Sequence, residues 1–273
     1  MKFSIKNIGL LILAFLTLNT IFKKLGSLFF FETLSEFLLY KSVFKFVLAL
    51  FALFILDRLK LYHFNDLNKN RIISAISIVT LIVLSNIYVT ENIKFPISSQ
   101  QHQLFFLSTI TTGFFEEVFN RLLIFGMIYC VLTEYNTSNQ YFTATLFSSL
   151  LFGILHLSNL FVPEYDALSV VNQAILATGV GFLLQGILVK MKNITLVIFL
   201  HSTMNYLGSY QVLATFNSDD QSKFTGITSL EIITNLAGVS IISALLILIG
   251  NLILNSSKSS LSIRCIKSRD IIT

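Results

Sequence analysis

The stretch LFFLSTITTGFFEEVFNRLLIFGMIYCVL, residues 104–132, decides the fold. About 20 apolar residues carry a helix across the hydrocarbon of a bilayer. This run is long enough, yet Glu116, Glu117 and Arg121 stand inside it. A charge near mid-bilayer costs about 2.5–3.5 kcal/mol on insertion scales, so intramembrane charges read as a site by default. Working outward, two more apolar runs carry polar clusters. One is Phe152-Gly153-Ile154-Leu155-His156 and the other is His201-Ser202-Thr203-Met204-Asn205. Structural upkeep alone does not oblige a chain to bear that cost several times.

Composition supports a membrane setting. The chain has 273 residues, 54% hydrophobic and only 12% charged, with mean hydropathy +0.78. Soluble domains carry about 25% charged residues, so half of the usual solvated surface is missing. The fold class expected is all-α, a polytopic transmembrane helical bundle of about eight spans. They fall near 7–22, 37–56, 72–90, 104–132, 141–161, 168–189, 194–213 and 230–254. The apolar run after Lys2 and Lys6 lacks a small-x-small cleavage site and reads as a retained first span. No repeat, heptad or soluble domain is evident. Three regions are expected: 1–100, transmembrane helices without motif content; 101–216, the motif-bearing core; and 217–273, a last span with a basic tail.

The formal charge of +5 reflects membrane topology rather than nucleic-acid binding. With the N-terminus in the cytoplasm, twelve basic residues lie inside: Lys2, Lys6, Arg58, Lys60, Lys69, Arg71, Lys190, Lys192, Lys258, Arg264, Lys267 and Arg269. Six lie outside or at the outer end of the second span: Lys23, Lys24, Lys41, Lys45, Lys94 and Lys223. That asymmetry puts both termini in the cytoplasm, the tail close to membrane lipids. The expected location is the cell membrane. The two cysteines, Cys130 in a span and Cys265 in the tail, offer no disulfide or zinc-ribbon spacing; Cys130 reads as a small apolar filler.

The helical period arranges the clusters. Glu117 and Arg121 are four apart, share a face and can pair. Glu116 lies about 100° around the helix from Glu117 and stays available. Burial and the neighbouring charge suit it to accept a proton near neutral pH. Phe152 and His156 repeat the four-residue spacing, so the phenyl ring can pack beneath the imidazole. His201 and Asn205 repeat it again, and both can donate hydrogen bonds toward one point. Gln185 and Asn172 read as amides that glue helices together, and His63 and His102 as solvated residues in or beside loops.

The order Glu-Glu-x-x-x-Arg, Phe-x-x-x-His, His-x-x-x-Asn on successive apolar helices resembles the CPBP family. This is the group of CAAX prenyl endopeptidases and bacteriocin-processing or immunity proteins, also called Abi proteins. The resemblance covers roughly residues 100–215. It implies an intramembrane endopeptidase in which Glu116 activates water and His156 helps to hold it. By the same resemblance Glu117 and Arg121 orient the centre, while His201 and Asn205 stabilise the oxyanion. A second mechanism stays open, the metallopeptidase one, in which Glu116, His156 and His201 bind a divalent metal such as zinc. No His-Glu-x-x-His helix is present, which favours the metal-free form with no cofactor. The substrate expected is a membrane-associated peptide or lipopeptide. The alternatives are a non-catalytic membrane partner, giving bacteriocin immunity or regulating a sensor protein, and a proton-coupled transporter. The latter would call for repeated halves and broken helices, which the sequence does not display. Oligomeric state is not legible.

Overall fold

A computed structural model describes residues 5–28, 33–62, 98–161, 166–216 and 229–256, together with 263 and 265. Helix α1 spans Ile5–Leu28 and α2 Leu34–Leu59. Next comes one continuous rod made of α3 (Ser99–Glu117), a π-helical segment (Val118–Ile124) and α4 (Phe125–Glu134). Helix α5 (Gln140–His156) passes into a 3₁₀ turn, Leu157–Phe161. Helices α6 (Ala167–Met191), α7 (Ile194–Phe216) and α8 (Ser229–Asn255) complete the bundle. The described residues are all-α, with a single isolated bridge pairing Tyr62 with Ile263.

Four helices are long and apolar enough to cross a membrane: Leu34–Leu59, Gln140–Phe161, Ala167–Met191 and Ile233–Asn255. The protein is a membrane protein, but the described residues do not establish a count of eight spans. The expected first and seventh spans contain shorter apolar helices, Lys6–Leu18 and Ile194–Gly208. The expected fourth is interrupted by the π segment. The expected third, 72–90, lies outside the described residues, as does His63.

Local chemistry explains the helix ends. Ser98 opens α3 with a capping box: its hydroxyl accepts from the Gln101 N–H, and the Gln101 side chain accepts from the Ser98 N–H. This satisfies two N–H groups that a helix start leaves unpaired. Asp166 caps α6, accepting from the Ser169 N–H at 2.9 Å. The hydrogen bonds from Ser169, side chain first and then backbone, hold its carboxyl below the usual carboxylate value. The folded state therefore favours the charged form. The contribution is complete above about pH 4, the unfolded value, and is lost as pH falls through the lower folded value. Asp166→Ala should destabilise the protein by about 1 kcal/mol, with less loss for Asp166→Asn. Thermal unfolding in detergent, repeated at neutral and acidic pH, checks both points.

Between helices in lipid, close packing replaces hydrophobic collapse, and small residues permit it. On α6, Gly179 and Gly186 lie against Ser243 and Gly250 of α8. A Cβ on Gly186 would come within 2.7 Å of the Gly250 carbonyl oxygen. The Ser243 hydroxyl bonds to the Ile175 carbonyl at 2.8 Å, and Asn172 donates to Asn235 at 3.2 Å. Asn172 is thus the interhelical amide its sequence context suggested. Gln185, fully buried, has no hydrogen-bond partner among the described residues. Apolar side chains such as Val43, Val47 and Phe54 on α2 and Leu245, Leu248 and Leu252 on α8 are exposed, as a lipid-facing surface requires. Inside, the Phe15 ring of α1 meets the rings of Phe115 and Phe119, at 5.9 and 4.3 Å between centres.

Two sequence readings need correction. Cys130 and Cys265 are joined as a disulfide, with their Cα atoms 5.1 Å apart. The spacing of 135 residues gave no sign of it, because the chain returns to the end of α4 only through the packing of other helices. His102 is not a solvated loop residue. It lies in the first turn of α3 and shares a hydrogen bond with the Tyr206 hydroxyl at 3.3 Å.

Candidate active site

The two glutamates end α3, where the π segment begins. All residues of that segment are buried. Single-turn π windings inside α-helices occur frequently at functional sites. A wider winding displaces the regular backbone ladder, and here the Asn120 amide donates to the Glu116 carbonyl at 2.8 Å. Gly113, one turn earlier, lets α7 come close: a Cβ there would lie 3.2 Å from the Ser202 nitrogen and 3.3 Å from the Ile198 oxygen. That approach puts His201 of α7 beside both carboxylates.

Glu117 is fully buried and holds two partners. Its Oε1 accepts from His201 Nδ1 at 2.6 Å. Its Oε2 lies 3.2 Å from Arg121 Nε. The latter is an ion pair by distance; the N–H axis is not aligned well enough for a hydrogen bond. A carboxylate only accepts, so Nδ1 of His201 carries the proton. The opposite ring nitrogen, Nε2, faces Glu116 Oε2 at 3.4 Å. The Glu116 side chain keeps 18% of its surface accessible, against none for Glu117. One imidazole therefore bridges a sealed carboxylate and an accessible one.

Phe152 organises the rest. It is 2% exposed, and the Arg121 guanidinium carbon lies over its ring at 4.7 Å. The ring also stands edge-on to His156, at 4.7 Å between centres, and to His201, at 5.7 Å. Its backbone oxygen accepts from His156 Nδ1 at 2.9 Å, which leaves Nε2 of the neutral imidazole as an acceptor. A guanidinium over an aromatic face is attracted by the ring quadrupole, by about 2 kcal/mol or more when desolvated. The sequence placed Phe152 beneath His156. Its contacts with Arg121 and His201 were missed, although a phenylalanine four residues before an intramembrane histidine was the available signal. Lys45 of α2, its ammonium 4.8 Å from the centre of the Phe115 ring, was counted only as a topological charge.

Glu116, Glu117, Arg121, His156 and His201 thus gather around one phenyl ring and one imidazole. Asn205 lies one turn beyond His201, half-buried, and makes no side-chain hydrogen bond among the described residues. The Nδ1 hydrogen bonds of His156 and His201 are of a kind that zinc-binding histidines make. Among the described residues, however, no group of three His, Cys, Asp or Glu side chains is disposed to hold a metal ion. Glu116, His156 and His201 are accordingly not disposed together as three zinc ligands.

A helical membrane bundle with a carboxylate–imidazole cluster at its core defines the class: an intramembrane protein with buried ionisable groups. Residues 98–207, which contain all three clusters, match the family model described as type II CAAX prenyl endopeptidase Rce1-like. Over that stretch the chain is similar to CAAX-type, or CPBP, intramembrane proteases, which supports an intramembrane protease of this type. No curated protein and no solved structure matches it.

Proposed function

We propose that the protein is a CAAX-type intramembrane endopeptidase that hydrolyses a peptide bond in a membrane-associated or lipidated peptide. The observation that carries this reading is the 3.4 Å approach of Glu116 to His201, itself anchored by Glu117. An accessible carboxylate beside an oriented imidazole can grip a single water. Glu116 takes one proton as the water oxygen attacks the scissile carbonyl carbon. Nε2 of His156 accepts the second water hydrogen and fixes the attack direction. The resulting oxyanion is met by the Asn205 amide and by Nε2–H of His201 in its imidazolium form, balanced by the Glu117 carboxylate. As the carbon–nitrogen bond breaks, Glu116 passes the proton to the leaving amine. Water adds across the bond and the carboxylate is regenerated. Donors fixed where charge develops are worth most in a water-poor cavity.

The test is cleavage by purified protein in liposomes, using lipidated peptides in water enriched in oxygen-18. Direct attack by water puts one heavy oxygen into the new carboxylate, read by mass spectrometry. Intact peptides throughout, with folded protein, would point instead to the non-catalytic membrane partner.

A further inference from the structure

The Arg121 guanidinium contributes one nitrogen to Glu117, yet Nη1 and Nη2 are buried without a hydrogen-bond partner among the described residues. A buried donor left unsatisfied costs about 1–3 kcal/mol, and more when charged. A second orphan sits beside it. Ser149 of α5 is fully buried, and its hydroxyl has no partner among the described residues. The neighbouring Ser148 and Thr145 hydroxyls, by contrast, bond to backbone carbonyls of their own helix. The two orphans border one point. A Cβ added to Gly181 of α6 would lie 3.3 Å from Ser149 Cβ, 3.4 Å from Arg121 Nη2 and 3.4 Å from Phe152 Cδ1. Glycine at 181 keeps that point free of a side chain.

We propose that Ser149 is a positioning residue for the reaction: its hydroxyl accepts a hydrogen bond from the Arg121 guanidinium through one bound water, beside the close approach that Gly181 permits. This inference rests on the peptidase reading. The guanidinium is gripped on three sides: Glu117 at Nε, the Phe152 ring beneath, and Ser149 at the terminal nitrogens. Glu117 then stays aligned on His201, and His201 on Glu116. The α5–α6 interface, which contributes no charged group to the centre, sets the centre's geometry through one hydroxyl.

A double-mutant cycle distinguishes this role from packing. Ser149→Ala should lower kcat about 10-fold with KM unchanged, the effect of one hydrogen bond to a charged group. Arg121→Lys keeps the cation but removes the terminal guanidinium nitrogens. In that background Ser149→Ala should be silent, because effects that act through a shared partner do not add. Equal fold-losses in both backgrounds overturn the proposal, since a purely packing serine would act regardless of residue 121. The same cycle read by thermal unfolding in detergent needs no substrate. If the wild type cleaves no peptide, the peptidase reading falls while this second cycle still reports whether the contact exists. Additive unfolding shifts, or coupling in unfolding with kcat untouched in an active enzyme, also overturn it.

Discussion

Glu116→Gln should leave a folded protein that no longer turns over, with kcat reduced by about 10²–10⁴-fold, the range that general-base catalysis supplies. The amide matches the carboxylate in size and can still take a hydrogen bond, but it cannot accept the proton of water. Folding should tolerate the change, because Glu116 is partly accessible and its partner, His201 Nε2, is 3.4 Å away. The unfolding midpoint in detergent should therefore stay close to that of wild type. Side-by-side cleavage of one lipidated peptide, followed by mass spectrometry, decides the matter. Equal processing by the two forms would falsify the assignment of Glu116 as the base.

The neighbouring carboxylate should behave in the opposite way. Glu117→Leu strands a fully buried guanidinium and unhooks His201. Breaking a buried pair from one side costs about 3–5 kcal/mol, because the remaining charge has no compensation. A large fall in unfolding temperature and in the yield of folded protein is expected, together with loss of activity. Replacing both partners, as in Glu117→Leu with Arg121→Met, should recover much of the stability, since well-packed apolar pairs often replace buried ion pairs at no net cost. Activity should stay lost, because His201 Nδ1 has no acceptor to hold it. Parallel measurements of unfolding and turnover on the single and double variants separate the two roles. Recovery of turnover in the double variant would dismiss the Glu117–His201 contact as a functional one.

Much of the site was legible because helical spacing is rigid. Glu117 and Arg121 at four residues met as expected, and so did Phe152 and His156. The sequence also separated an available from a neutralised glutamate, and the accessibilities of Glu116 and Glu117 differ in that sense. What remained hidden depends on contacts between distant helices. A 100° offset suggested that Glu116 and Glu117 project apart, yet the two nitrogens of His201 lie on opposite edges of one ring and reach both. The contacts of Phe152 with Arg121 and His201 and the close approach at Gly181 arise from packing of α5, α6 and α7 around the π segment, which no side-chain period announces. Cys130 and Cys265 pair because the tail returns to α4, and sequence separation is blind to such a return. The all-α class followed from composition. The span count did not, since hydropathy reads 104–132 as one rod without registering its change of winding.

That change of winding, Val118–Ile124, bears on which alterations the chain can absorb. A wider turn holds one residue more than an ordinary one. Removing Leu122, Leu123 or Ile124 would let the stretch rewind as α-helix with the part after it in nearly its former phase, because an ordinary turn closes with one residue fewer. Removing Val118, Phe119 or Asn120 would instead shorten the step from Glu117 to Arg121 from four residues to three and carry Arg121 off the Phe152 ring. Length between Glu117 and Arg121 is therefore as much a part of the site as the identity of its residues, and a deletion there should be harsher than most replacements.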